Sequence, residues 1–270
     1  MPYVANARMY SVNLAVAAAW KELFGWISDQ SRVDLSLIDH AFPMPLAELW
    51  SRSDLACAFM CGFPYALAAP KPRPVAAPVP IGAPVAGRPV YATRLLVRAD
   101  SPFLSLEDTF GGRLGYTVED SHSGYNALRH HLLPYYKKRG ERLYSESIGP
   151  LLTPRRVIEA LLAGDIDVGP LDSYALDLMR YHEPDLGQRI RVVATTESAP
   201  IPFLIAAPAS SDDVVSALQV AFGSFGEAAS CADLRSRLCL EGFAPVNPAD
   251  YDLTTRWDAE ARAAGYTRPD

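Results

Sequence analysis

Residues 113–126 read Arg-Leu-Gly-Tyr-Thr-Val-Glu-Asp-Ser-His-Ser-Gly-Tyr-Asn, and this stretch decides the fold. A strand runs out at Val118, a short polar loop follows, and a helix begins near Ser123. A strand-to-helix junction of this kind places its loop at the carboxyl end of a strand, where open α/β folds bind ligands. The first N–H groups of a helix have no intrahelical partner, and the helix dipole favours an anion beside them. Ser121 and Ser123 add hydroxyl donors and His122 adds an imidazole, so Ser121, His122, Ser123 and Gly124 are candidate anion ligands. The same pattern also serves simple N-capping by Ser121 or Ser123.

Outward from this junction, strands and helices alternate. Toward the N-terminus, residues 3–10 and Val33–Ile38 read as strands. Ser11 caps a helix over Val12–Trp26, Pro45–Trp50 is a short helix, and Leu55–Met60 is a continuous apolar strand of the kind buried in a parallel sheet. Residues 70–89 hold seven prolines, Pro70, Pro72, Pro74, Pro78, Pro80, Pro84 and Pro89. Their interleaved apolar residues predict an ordered, extended passage with edge-strand character. Val90–Val97 is a further strand, and Ser105 to Asp108 has the form of a capping box.

Beyond the junction, Leu143–Ile148, Ile166–Gly169 and Ile190–Thr195 read as strands. Helices are predicted from Pro154 to Gly164, with Thr153 as N-cap, and from Ser173 to His182. The chain then returns through the apolar run Ile201–Ala206, a helix from Ser211 to Phe225, a helix from Ser230 to Gly242 and an amphipathic helix over 254–264. The pattern is α/β, with each lobe a mainly parallel sheet flanked by helices. Residues 1–93 and 195–270 make lobe 1, and residues 94–194 make an inserted lobe 2. The lobes are hinged by two crossing strands near 92–97 and 192–198, and the cleft between them is the expected ligand site.

Composition narrows the function. The chain has 270 residues, a net charge of −6 and a pI near 5.4. No basic face of the sort that binds nucleic acid is present. No run of about 18 apolar residues suggests a membrane span. The N-terminus lacks a basic stretch followed by an apolar core, so it reads as a first strand and not as a signal peptide. The four cysteines are expected to be buried free thiols. Cys57 and Cys61, four apart in a strand, lie about 13 Å apart, too far to bridge. No metal-ligand spacing occurs, and His130 and His131 diverge on their helix, so no metal and no cofactor is expected.

Two further groups are candidate ligand residues. Asp172, in Gly169-Pro170-Leu171-Asp172-Ser173-Tyr174, sits where a strand meets a helix. It is suited to read a ligand's protonation or its amine, and equally suited to be an N-cap. Tyr10, Tyr65, Tyr91 and Thr93 lie near strand ends and are candidate walls of the cleft. No G-x-S-x-G elbow, P-loop or H-E-x-x-H motif appears.

Taken together, Ser121-His122-Ser123-Gly124, Asp167-Val168-Gly169-Pro170-Leu171-Asp172, the tract Pro154–Asp167 and Leu96-Val97-Arg98-Ala99-Asp100-Ser101 resemble a known family. It is that of the periplasmic substrate-binding proteins of phosphate, phosphite and phosphonate ABC transporters, with the type 2 periplasmic-binding-protein fold. The likeness is best over residues 89–206. The family's loop is typically Ser-Thr-Ser-Gly, so His122 stands here in place of a threonine. The resemblance implies a monomeric solute-binding protein that closes around a small oxyanion and delivers it to transporter membrane subunits in the periplasm. The missing leader leaves a cytoplasmic location open. The alternatives are a leaderless cytoplasmic enzyme or sensor of cofactor or metabolite pathways on the same fold, with His122 as acid/base near neutrality, and a ligand-gated interaction module.

Overall fold

The computed structural model describes residues 2–82 and 87–270, so Pro84 of the proline-rich passage lies outside the described residues. In chain order the elements are β1 (Tyr3–Asn6), α1 (Leu14–Ser31), β2 (Leu35–Leu37), α2 (Leu46–Trp50), β3 (Leu55–Met60), α3 (Gly62–Leu67), β4 (Arg73–Pro80), β5 (Val90–Tyr91), β6 (Thr93–Arg98) and β7 (Arg113–Gly115). They continue as α4 (Ala127–Arg139), β8 (Glu146–Ile148), α5 (Pro154–Ala163), β9 (Gly169–Asp172), α6 (Ser173–His182), α7 (Pro184–Gln188), β10 (Ile190–Thr195) and β11 (Ala199–Pro200). The last are β12 (Phe203–Ala206), α8 (Asp212–Ser224), α9 (Ala232–Arg237), β13 (Leu240–Ala244) and α10 (Asp252–Ala263).

The chain forms two compact units, one of residues up to 90 with 200–250, the other of residues 91–199 with 251–270. The last twenty residues, expected in the first lobe, therefore belong to the second unit. An amphipathic helix must bury its apolar face, and α10 buries Thr254, Trp257 and Ala261 there.

In the first unit, α1 is capped by Asn13, whose side chain accepts from the Val16 N–H, while the Ser11 hydroxyl donates to the Ala7 carbonyl. The helix buries Val16, Ala19, Trp20, Leu23, Phe24 and Ile27, the three-and-four spacing of one helical face. Its sheet has the order β13-β4-β12-β3-β1-β2. All six residues of β3 are buried, as its unbroken apolar run predicts.

The sheet is mixed where a mainly parallel one is expected. β1 runs parallel to β2 and β3, whereas β12 runs antiparallel to β3 and β4, and β13 antiparallel to β4. A parallel neighbour needs a crossover connection. β3 and β4, joined through α3, run parallel to each other on either side of β12, and it is β12, re-entering after a long excursion, that runs against them.

β4 is also no edge strand, because it lies between β12 and β13. Its prolines lack ladder donors, and the register shifts beside them, at Leu204/Ile205 opposite Pro74 and at Leu240/Gly242 opposite Pro80. The helix expected from Ser230 to Gly242 ends at Arg237, and Cys239 turns the chain with φ +51° into β13.

In the second unit, β6 lies between β10 and β9, antiparallel to both. β7 and β8 pair in parallel, with a bridge from Leu114 to Val168. β9 starts at Gly169, about where the expected strand ends. The core joins Leu95 and Val97 of β6, Leu114 of β7, Leu128, Leu132 and Leu133 of α4, and Tyr266 of the C-terminal segment. Each fully buried large side chain contributes about 1.5–3 kcal/mol.

Among the described residues, no helix is long and apolar enough to cross a membrane. Among them, no cluster of three or more His, Cys, Asp or Glu is placed to hold a metal ion. Cys57, Cys61 and Cys231 are buried free thiols and Cys239 is partly exposed.

Candidate functional site

The loop after β7 begins its helix with an unusual turn. Ser121 keeps an extended backbone, and its hydroxyl accepts from the Gly124 N–H at 3.0 Å. His122–Asn126 then forms a π-helical turn, opened by the Asn126 N–H on the Ser121 carbonyl at 3.0 Å, and runs on into α4. Such widened turns recur at functional sites.

Gly124 is required by close approach. A Cβ there would lie 1.8 Å from the Thr117 hydroxyl oxygen. The Thr117 N–H donates to the Gly124 carbonyl at 3.3 Å, closing the loop on itself.

Thr93 ties this loop to the rest of the unit. Its hydroxyl donates to the Ser123 carbonyl at 2.9 Å, and its backbone lies in register with Asp172 of β9. Asp172 caps α6, accepting from the Tyr174 and Ala175 N–H groups at 2.8 and 3.0 Å. Next to it, the Ser173 hydroxyl accepts from the Ala92 N–H. Ser121, Ser123, Gly124, Thr93 and Asp172 thus converge within one unit, and Ser121 and Ser123 are partly exposed.

His122 lies in the same turn but turns into a buried aromatic stack. It is 1% exposed, with its ring 5.3 Å from Trp257 of α10 at 21° and 6.3 Å from Tyr91 at 45°. Its tautomer follows from its neighbours. The Asn126 amide donates to the Thr254 carbonyl at 2.7 Å, and a carbonyl only accepts, so the amide nitrogen lies on that side. Its second hydrogen meets His122 Nδ1 at 3.2 Å, so Nδ1 accepts and the ring proton sits on Nε2. Burial, helped by the nearby charge of His130, lowers the His122 pKa from 6.5 to about 3. His122 is therefore a fixed, neutral imidazole near pH 7, too weak a base for acid/base work at that pH.

The aromatic candidates divide between the units. Tyr91 is 1% exposed, beside His122. Tyr10 and Tyr65 belong to the first unit. Tyr10 follows β1 in a 3-10 turn and meets Phe59 edge-on at 4.9 Å. Tyr65 lies on α3, edge-on to Phe203 at 4.7 Å, with the Lys71 ammonium 4.9 Å from its ring. Burial raises the Tyr65 phenol above its ordinary pKa.

A separate cavity of about 200 Å³ in the second unit is lined by Arg98, Phe103, Arg113 and Asp167, among others. It contains none of the candidate residues, and Arg113 there is satisfied by Asp167 and by the Gly164 carbonyl.

The chain matches, over residues 14–251, the family described as the periplasmic substrate-binding protein of the phosphonate ABC transporter. It belongs to that family. No curated protein matches the sequence.

Solved structures carry the same fold. A binding-protein component of a phosphonate ABC transporter from Pseudomonas aeruginosa superposes with a TM-score of 0.78 at 16% identity, covering 98% of this chain and 94% of that one. PhnD1 from Prochlorococcus marinus, solved with methylphosphonate, gives 0.74 at 12% identity, covering 97% and 99%. A Xanthomonas citri protein bound to ATP gives 0.67 at 17% identity, covering 97% and 98%. As a member of the phosphonate-binding family, the chain is a solute-binding protein with the two-lobed type 2 periplasmic-binding-protein fold.

Thr117, Asn126 and Trp257 carry no functional signal in the sequence. Thr117 reads as an ordinary strand residue. Asn126 and Trp257 stand 131 positions apart, and no spacing rule joins them.

Proposed function

We propose that this protein binds a small oxyanion of the phosphonate or phosphate type at Ser121–Gly124 and delivers it, as a periplasmic monomer, to the membrane subunits of an ABC transporter. The observation that carries the reading is the loop itself. It opens a π-helical turn continuous with α4, it needs glycine at 124, and Thr93 pins its Ser123 carbonyl. The serine hydroxyls and the N–H groups at the helix start are the donors, and the dipole of the long helix supplies the favourable field.

In this reading Tyr91 of the second unit backs the loop through the His122 ring. His122 supports the loop as a neutral ring, and Asp172 sets the ligand's charge limit. Asp172 already accepts two backbone N–H groups, so it repels an approaching anion less than a bare carboxylate would. The enzyme reading needs His122 to titrate near neutrality, and its folded-state pKa of about 3 opposes this.

The test is a thermal-shift panel of methylphosphonate, phosphite, phosphate, ATP, a sulfonate and small amines. A ligand at a hundredfold its Kd adds about 2.7 kcal/mol of stability. Stabilisation by a phosphonyl or phosphoryl compound, weakened in Ser123→Ala, is the expected result. No response to any oxyanion, or stabilisation by amines alone, refutes the proposal.

A further inference from the structure

We infer that Trp257, on the C-terminal helix α10, is a positioning residue that sets the conformation of the 121–124 loop; its bearing on affinity rests on the proposed anion site. The family match ends at residue 251, yet the segment after it is built into the second unit.

Along one face of the π-turn and α4, successive residues are each tied to this segment. His122 stacks on Trp257 at 5.3 Å. The Tyr125 hydroxyl donates to the Thr267 carbonyl at 3.0 Å, and the Asn126 amide donates to the Thr254 carbonyl at 2.7 Å. Arg129, 2% exposed, pairs with Asp258 and donates to the Thr267 carbonyl. Trp257 also stacks on His130, whose ring lies parallel at 4.7 Å and 4°, and His130 in turn meets Glu260 at 2.9 Å.

The indole therefore stacks with two imidazoles, one of them a member of the candidate loop. Because Ser121 and Ser123 flank His122 directly, a displacement of the His122 backbone moves the two hydroxyls with it. α10 lies beside the loop, and through this stack it fixes where the loop's donors stand.

The test uses the full chain as wild type, Trp257→Phe and Trp257→Leu, with folding checked by circular dichroism. Two readouts are taken. The first needs no ligand: NMR of the His122 ring and of the backbone amides of residues 121–124. The second is calorimetric binding of methylphosphonate.

We expect His122 to stay neutral, protonated on Nε2, from pH 8 to 5 in wild type and Trp257→Phe. In Trp257→Leu the loop amides should shift and His122 should titrate closer to 6.5. Binding should weaken at least tenfold in Trp257→Leu, with most of it restored in Trp257→Phe. A Trp257→Leu protein with unshifted loop amides, or with wild-type affinity, overturns the inference. If the wild type binds no oxyanion, the proposed function fails, and the NMR readout still decides the inference.

Discussion

Lowering the pH from 7 to 4 should destabilise the wild-type protein more steeply than His122→Gln. Burial places the folded-state pKa of His122 at about 3, below the 6.5 of an ordinary imidazole. The unfolded chain therefore takes up the proton first. Stability is lost as the pH falls through 6.5 and stops falling only near 3. Between about pH 5.5 and 4 nearly one extra proton is bound by the unfolded state, which is about 1.4 kcal/mol per pH unit. Integrated from pH 7 to 4, His122 alone costs about 3 kcal/mol.

Glutamine has no proton to gain, so the variant lacks this component. Whatever the substitution itself costs moves the whole curve and leaves its slope. Urea unfolding at pH 7, 6, 5 and 4 measures both slopes. Trp20, Trp26 and Trp50 all lie in the first unit, so in a background with those three replaced by phenylalanine the Trp257 emission reports the second unit. Equal slopes in the two proteins would show that His122 is not held neutral, and the tautomer argument would fall with it.

Substitutions at three further positions test the loop and its supports. Gly124→Ala drives a methyl group into Thr117 and should cost about 1–3 kcal/mol in urea unfolding, with a loss of oxyanion binding beyond that of Ser123→Ala. Asp172→Ala removes the cap of α6 and should cost about 1–2 kcal/mol, whereas Asp172→Asn keeps the cap. A change in anion affinity in Asp172→Asn, measured by calorimetry, therefore isolates the carboxylate's charge. Arg129→Ala leaves Asp258 with Arg262 alone and the Thr267 carbonyl with the Tyr125 hydroxyl alone, and should cost about 1–3 kcal/mol, seen as a lower urea midpoint of Trp257 fluorescence in the same three-phenylalanine background.

Much of the fold is legible in the sequence because its signals are local. The apolar run Leu55–Met60, Thr153 with Pro154 and Gly164 around α5, and the junction at 113–126 all announce themselves within a few residues. The misplaced elements depend on partners far along the chain. β4 carries three prolines and reads as an edge strand, yet bulges opposite Pro74 and Pro80 let β12 and β13 flank it. Cys239 adopts a left-handed backbone that no propensity predicts, and so a predicted helix becomes β13.

The candidate site divides in the same way. Ser121, Ser123, Gly124 and Asp172 are visible as strand-to-helix motifs, because capping is a short-range pattern. The burial of His122 is not, since it depends on an indole 135 residues later. Amphipathicity over 254–264 says that α10 buries a face but not against which unit it does so.

That indole also changes what pH should do to binding. As a bare imidazole in a polar loop, His122 would gain charge near pH 6.5 and draw anions more strongly below it. Held neutral down to about pH 3, it contributes nothing that titrates between pH 5 and 8. The His122 ring then adds no pH dependence of its own to oxyanion binding in that window. Methylphosphonate changes charge there through its second ionisation, and its affinity should follow that single event. A methylsulfonate, which has no second ionisation, should bind with an affinity that is flat from pH 5 to 8. Calorimetry across that range measures both. A sulfonate affinity that rises below pH 6.5 in the wild type but not in His122→Gln would mean that His122 charges at the site, and the stack on Trp257 would not be what sets its chemistry.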